Sequence, residues 1–472
     1  MIELTAGDIS KIVGGELFAP SDLLVTQAPT FDSRTVEPGS IFLALKGEHA
    51  DGHDFARQAI ENGATLVFST RKLDIACIVV DDVLVALGAL AHFVRQKLNS
   101  MTVIGVTGSQ GKTTTKDLLA WVLSLQGETV ASSGSFNNEL GVPITLLRCT
   151  ESTRYCVVEM GARHVGDIKI LVQIAEPDIG VVLEVGSAHS GEFGSREEIA
   201  LAKSEIIHNL REGGTAILGR YDEFTPRMAD GLDLAVLTFG QTHEAQVRAT
   251  DIDIREGRAH FDLVTPSGRA AVALRLVGAH QIPNALAAAS VCTALQIPLE
   301  VIAGGLSTAE IQSKWRMELH ELNNLLLIND AYNANPESTA AALRTLSFFA
   351  QERGGQSWAF LGKMHELGVS SKRDHAEIGA LAQSLGIDHL VCVNEPDYGR
   401  DLPSTGAEMV VHFSKDKVDA LSIAEHFSPG DVVLVKASRA ERMEELAEGL
   451  MKRWEQLGQL GATGSNKVSD KE

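Results

Sequence analysis

The chain has 472 residues, with 41 Lys plus Arg against 62 Asp plus Glu, and a formal net charge of −21. At roughly 150 residues per domain, that length points to three domains, with two or four also open, each large enough to bury its own core. The acidic excess excludes a general nucleic-acid binder and a polybasic membrane-surface protein, both of which need a cationic face. A composition of 44% hydrophobic and 22% charged residues excludes a disordered chain.

The start, MIELTAGDIS, has neither the basic nor the apolar segment of a signal peptide, and no apolar run reaches the ~18 residues of a membrane span. A soluble cytoplasmic protein is expected. Residues 1–98 read as a small α/β unit. Apolar runs at 41–45, 65–69 and 77–80 alternate with helix-like stretches at 53–62 and 83–98, which predicts a sheet covered on both faces. From Met101 a second unit begins, reaching to 312. Its strands are predicted at 102–108, 155–160, 179–185 and 215–219, its helices at 112–126, 196–210 and 283–295. Between 247 and 277 charges alternate with apolar residues, which predicts an antiparallel hairpin region appended to the sheet. From 313 to 458, strands at 325–330, 357–363, 389–394, 409–413 and 431–438 alternate with amphipathic helices, the pattern of a doubly wound, mostly parallel, Rossmann-like sheet. Residues 459–472 are polar and are expected to be a structureless tail. The five cysteines (Cys77, Cys149, Cys156, Cys292, Cys392) form no C-x-x-C pair and read as free thiols.

The strongest chemical signal is TGSQGKTTTK at 107–116, between a buried strand and a helix. Glycines there let backbone N–H groups turn toward phosphate oxygens, and the helix N-terminus adds partial positive charge. Thr107, Gly108, Ser109, Gln110, Gly111, Lys112, Thr113 and Thr114 are the predicted phosphate-binding residues. Lys112 reaches the β- and γ-phosphates and the Thr113 hydroxyl ligates magnesium. The spacing is G-x-x-G-K-T, shorter than the common G-x-x-x-x-G-K-[ST], because position 106 is Val.

Glu159 ends a strand at the carboxyl edge of the sheet, where ligands bind in open α/β folds, and is a candidate metal ligand. Ser195 with Glu198 spells a capping box for the next helix, whose inward stripe of Ile199, Ala202, Ile206 and Leu210 includes Lys203. The plain alternative for Lys203 is a stem that covers apolar surface and carries its charge to solvent. His189, beside Gly and Ser, reads equally as a loop residue.

Together these segments resemble the Mur ligase family, ATP-dependent amide-forming ligases of cell-wall precursor synthesis. The residues that carry the resemblance run from 30 to 445: the loop at 107–116, NNELGVP at 137–143, VEMGA at 158–162, AHSGEFGS at 188–195 with AKSEI at 202–206, GAHQIPNALAAA at 278–289, KWR at 314–316, NDAYNANP at 329–336 and VKASRAERMEEL at 435–446. DAYNANPES at 330–338 and FLGKMHELG at 360–368, with His375 beyond, are similar to the branch that adds D-alanyl-D-alanine. DSRTVEPGSIFLALKGEHADGHDF at 32–55 also resembles the branch that adds the third peptide residue.

The resemblance implies a three-domain α/β fold. Residues 1–98 would bind the UDP-sugar-peptide, 99–312 ATP, and 313–458 the dipeptide and part of ATP. It implies a reaction in which ATP phosphorylates the terminal carboxylate of UDP-N-acetylmuramoyl-tripeptide, and the amine of D-alanyl-D-alanine attacks the resulting acyl phosphate. By the same resemblance, Lys112, Glu159, His189 and Lys203 are catalytic. Thr113 and Glu159 hold one magnesium ion, and His189 and a carbamylated Lys203 serve a second. Asn284, Arg316 and Asp330 complete the ATP site. Ser33, Arg34, Lys46, Asp51, Gly52, His53, Asn137 and Asn138 bind the UDP substrate, while Asn333, Asn335, Ser338, Lys436 and Ser438 bind the dipeptide. No nucleic acid and no membrane is implied, and a monomer is expected.

Local readings stand beside these roles. Asn335–Pro336 is an N-cap and N1 pair, Pro283 reads as N1 of the helix carrying Asn284, and Ser438 with Glu441 spells a capping box. The chain departs from the family pattern at Leu183–Glu184, where Thr-Asn is common, at Gln281 for Asn, and at Ala437 for Gly. The competing functions are the third-residue ligase of the same family and a nucleotide-regulated binding protein that keeps the fold without catalysis. Because the loop and Asp330 fall in different units, closure around ATP is expected.

Overall fold

The computed structural model describes residues 1–47, 50–186, 193–310, 313–400, 402 and 408–465. Among the described residues, three larger sheets organise the chain in sequence order, beside a two-stranded antiparallel pair, Leu4–Thr5 with Leu24–Val25.

The first sheet has four strands, ordered Glu16–Phe18, Cys77–Val79, Leu66–Ser69, Ile41–Leu43; the first pair is antiparallel and the others parallel. Successive strand residues face opposite sides. Leu43, Phe68 and Ile78 therefore join one apolar cluster, and Phe42, Val67 and Cys77 another. Both faces are covered, as the all-apolar runs predict.

The central sheet has nine strands. Seven run parallel, in the order Val247–Arg255, Ala235–Gly240, Thr215–Gly219, Ile179–Val182, Thr102–Thr107, Tyr155–Glu159, Thr129–Ala131. The antiparallel strands Arg258–Thr265 and Gly268–Val277 extend its far edge. Here burial alternates residue by residue along Arg258–Thr265, which is the period the alternating sequence encodes. The strand Thr102–Thr107 lies between Tyr155–Glu159 and Ile179–Val182, so its carboxyl end is flanked by Glu159 and by the segment after Val182.

The third sheet is ordered Glu318–Leu322, Leu325–Asn329, Val432–Lys436, Ser357–Leu361, His389–Val393, Val410–Ser414, parallel except for its first strand. Leu326 and Ile328 face one core and Leu325 and Leu327 the other.

Several local readings change. The helix bearing Asn284 starts at Gln281, so Pro283 is its third residue; proline is tolerated throughout a first turn, where no intrahelical N–H bond is lost. The expected structureless tail is helical as far as Ser465, within Glu444–Ser465. Glu, Gln, Leu and Ala are good helix formers, and Leu446, Leu450 and Trp454 anchor the helix in the core. Residues 466–472 lie outside the described residues. Among the described residues, no helix is long and apolar enough to cross a membrane.

Candidate active site

The loop after Thr102–Thr107 is shaped by two glycines in the left-handed half of backbone space, Gly108 at φ 155° and Gly111 at φ 78°. Gly111 also caps the helix Lys112–Ser124. Both are tightly packed. A Cβ on Gly108 would lie 2.8 Å from Leu183 Cβ, and one on Gly111 would lie 2.1 Å from Asn284 Oδ1. Gly111→Ala is therefore expected to combine a left-handed penalty of about 1–2 kcal/mol with a collision against Asn284. Calorimetric titration should show nucleotide affinity weakened at least about tenfold, and unchanged affinity contradicts the loop's role.

Ser109 through Thr114 line a cavity of about 920 Å³ between the central and C-terminal sheets. Thr107 does not line it; its hydroxyl is buried without a partner. Gly108 is likewise behind the wall, where its carbonyl accepts a hydrogen bond from Lys112 Nζ at 2.7 Å. Burial lowers the Lys112 pKa. Glu159 opposes that shift, and the Arg316 guanidinium reinforces it.

The next shell of contacts converges on one hydroxyl. Thr113 Oγ1 donates to Glu159 Oε2 at 2.8 Å and accepts from Arg316 Nη2 at 2.9 Å. Asn137 Nδ2 donates to Glu159 Oε1 at 2.9 Å. A buried carboxylate with an adjacent hydroxyl is a hard oxygen donor set suited to magnesium. Among the described residues, no group of three or more His, Cys, Asp or Glu is arranged to hold a metal. His189 lies outside the described residues.

Lys203 lines the same cavity and is 3% exposed. The reading in which it carries its charge out to solvent is thus overturned. Its helix, Arg196–His208, packs on the central sheet and against Asp167–Ala175, and Lys203 is buried there with Ile199, Ala202 and Ile206. Burial and the neighbouring Lys112 push Lys203 down to about 7, against the pull of Glu184.

Glu184 is a functional candidate that motif reasoning passed over. It lines the cavity with Lys112 and Lys203. Burial raises its carboxyl pKa, opposed by a hydrogen bond from Gln110, and Glu337 and Asp222 raise it further. The departure from Thr-Asn at this position was the available signal.

From the C-terminal side, Asp330 and Lys436 form an ion pair at 2.6 Å. Asp330 Oδ1 also accepts from Met317 N at 3.1 Å, and Lys436 Nζ donates to the Asn333 carbonyl at 2.8 Å. Asn335 caps Pro336–Arg353, with Pro336 at its start, as the sequence predicts; the structure adds a reciprocal box with Ser338. The Ser438–Glu441 box does not form. The Ser438 hydroxyl instead donates to the Ala334 carbonyl at 3.2 Å and accepts from His365 N at 2.9 Å, while Glu441 pairs with His365 Nε2 at 2.6 Å. Tertiary partners outcompete the local cap. His280, part of the GAHQIPNALAAA segment but given no role there, lines the cavity near Asp330 and Lys436. Burial lowers its pKa to about 4, so its imidazole is neutral at pH 7.

Comparison with known proteins bears directly on this arrangement. Family models match along the chain: the Mur ligase family catalytic domain at 29–109, the Mur ligase middle domain at 106–292, and the Mur ligase glutamate ligase domain at 315–439. The UDP-N-acetylmuramoyl-tripeptide–D-alanyl-D-alanine ligase of Mycobacterium tuberculosis is 39% identical, over 96% of this chain and 98% of that protein. The chain belongs to the Mur ligase family. Among solved Mur ligases, a crystal structure of MurF from Acinetobacter baumannii matches with a TM-score of 0.86 at 34% identity, over 95% of this chain and 99% of that one. MurF ligase from Thermotoga maritima in complex with ADP matches with a TM-score of 0.78 at 31% identity, over 91% and 98%. The three-domain α/β Mur ligase fold expected of the sequence is the fold observed.

In this Mur ligase the N-terminal candidates stand apart from the cavity: Ser33, Arg34, Lys46, Asp51, Gly52 and His53 are not among its lining residues, whereas Asn137 and Asn138 are. They have partners of their own. Asp51 accepts from His53 N at 3.0 Å, His53 Nε2 accepts from Thr70 N at 3.2 Å, and Ser33 Oγ donates to Gln58 Oε1 at 3.1 Å. Lys46 bridges to Asp51 through the backbone. Exposed Arg34 pairs with Asp32 at 2.7 Å, and its hydrogen bond holds the Asp32 carboxyl at about 2.

Proposed function

We propose that this Mur ligase joins D-alanyl-D-alanine to UDP-N-acetylmuramoyl-tripeptide, converting ATP to ADP and phosphate, in peptidoglycan precursor synthesis. The observation that carries the reading is the meeting of Lys112, Thr113 and Glu159 with Arg316 on one cavity wall, opposite Asp330 and Lys436. Full-length similarity to ligases of that name supports the choice of substrates.

The tripeptide carboxylate attacks the γ-phosphorus, the bond to the β-phosphate oxygen breaks with ADP leaving, and an acyl phosphate forms. The dipeptide amine then attacks its carbonyl carbon, and phosphate leaves. Phosphoryl transfer depends on positioning and charge neutralisation more than on covalent catalysis. Lys112 supplies a partly desolvated cation beside the phosphates, and Arg316 a second. Thr113 and Glu159 are the residues that would hold a magnesium ion, with Lys203 as a carbamate, and His189, serving another. Bound magnesium neutralises phosphate charge. Asn284 and Asp330 serve the adenine and ribose. Asn333, Asn335, Ser338, Lys436 and Ser438 serve the dipeptide. Asn137 and Asn138 hold the peptide end of the UDP substrate, whose nucleotide lies on Ser33, Arg34, Lys46, Asp51, Gly52 and His53. The units 1–98, 99–312 and 313–458 divide these tasks. The enzyme works as a cytoplasmic monomer, with closure of the ATP cleft.

The test supplies the protein with ATP and magnesium together with either UDP-sugar-tripeptide and the dipeptide, or UDP-sugar-dipeptide and a free amino acid. Phosphate release with the dipeptide, matched by pentapeptide formation in mass spectra, is expected. Release with a free amino acid and UDP-sugar-dipeptide, and none with the dipeptide, selects the third-residue ligase instead.

A further inference from the structure

Peptide-bond formation must bring together groups held on two walls of the cavity. On the central wall, the loop 133–139 packs against Glu159 through Asn137. On the C-terminal wall, the segment 330–338 is fixed by Lys436, which holds both the Asp330 carboxylate and the Asn333 carbonyl. Among the described residues, the hydrogen bond that joins these two stretches runs between the hydroxyls of Ser135 and Tyr332. Both residues line the cavity. Tyr332 is itself held in place: its N–H donates to the Trp315 carbonyl at 3.1 Å, and the Arg316 guanidinium lies 4.1 Å from its ring centroid. Arg316 continues to Thr113, so the phosphate loop, the tyrosine and the loop 133–139 form one connected set.

We infer that Tyr332 and Ser135 are a positioning pair that sets the separation between the wall holding the acyl phosphate and the wall presenting the incoming amine. This assignment rests on the ligase reading above. Neither hydroxyl is needed for bond-making. Their bond holds the geometry, and a displacement of about 1 Å in such a reaction costs roughly 10²-fold. It also has a distinctive consequence. An acyl phosphate left without its amine is attacked at the carbonyl carbon by water. The carbon–oxygen bond to phosphate breaks, the carboxylate is regenerated, and orthophosphate and a proton are released. ATP is then consumed without a peptide bond.

Tyr332→Phe, Ser135→Ala and the double variant, each full-length with ATP, magnesium and both substrates, test the pair. In each single variant, kcat for pentapeptide is expected to fall about tenfold or more, with KM for ATP near the wild-type value. Phosphate released per peptide bond should rise above one. The double variant should be no slower than the slower single, because all three lack the same bond. Unchanged kcat, a fall in kcat with the ratio still at one, or additive losses each overturn the assignment while leaving the ligase reading intact. Wild-type protein that forms no peptide bond overturns the ligase reading and this assignment with it.

Discussion

Lys112→Ala is expected to lose on the order of 10³-fold in kcat, about 4 kcal/mol of transition-state stabilisation. The side chain is folded over the phosphate loop, with Nζ on the Gly108 carbonyl, and is partly desolvated. A cation in that setting interacts strongly with the charge that develops during phosphoryl transfer, since little water screens it. Thermal melting should change little. The hydrogen bond lost is one on the loop's own carbonyl, and removing a partly buried cation relieves a desolvation cost. Near-normal turnover in Lys112→Ala contradicts the phosphate-loop assignment, and a collapsed melting temperature contradicts the separation of fold from chemistry.

Lys203→Ala tests the proposed carbamylation of Lys203. Its amine is sheltered in the cavity, and burial with the adjacent Lys112 brings it to about 7, so neutral amine is abundant near pH 7. That form attacks carbon dioxide, making a carbon–nitrogen bond and releasing one proton. The product is an anion where the unmodified side chain is a cation, which changes what the cavity offers a metal ion. We expect Lys203→Ala to lose about 10²-fold or more in turnover, with partial recovery in added formate or acetate. A short carboxylate can occupy the vacated volume and restore the missing oxygens. Full activity in Lys203→Ala removes the residue from the mechanism. Lost activity that no carboxylate restores leaves it an unmodified lysine.

Much of the fold was readable along the chain, because all-apolar strands flanked by amphipathic helices have few alternatives to a covered parallel sheet. The strands that escaped notice are short or weakly buried. Glu16–Phe18 and Thr129–Ala131 have three residues each at sheet edges, and Ala235–Gly240 begins with two exposed residues. Their pattern is too brief to show a period. In the site, Lys203 was recognisable as inward-facing from its place on the helix stripe, yet whether it reached solvent depended on what packed outside. Glu184 was visible only as a departure from the family pattern, and His280 as a motif residue without a role. Each becomes a site residue through partners far away in the chain: Lys112 for Glu184, Asp330 and Lys436 for His280. Ser438 and Glu441 show the converse, since a valid capping pattern gave way to His365 and Ala334.

The excess of 62 acidic over 41 basic residues excluded nucleic acid and said little about the cavity, whose cations are few and individually placed. What the residues dictated unaided was the phosphate loop, because its geometry depends on neighbours within ten positions: glycines free to take positive φ, a lysine able to fold back, and a helix beginning at that point. What the tertiary structure alone decided was the closing of the site. Arg316 meets Thr113 across 203 positions of sequence, and Tyr332 meets Ser135 across 197. No local propensity encodes such pairings. They follow from how the central and C-terminal sheets, each with its own core, are set against one another.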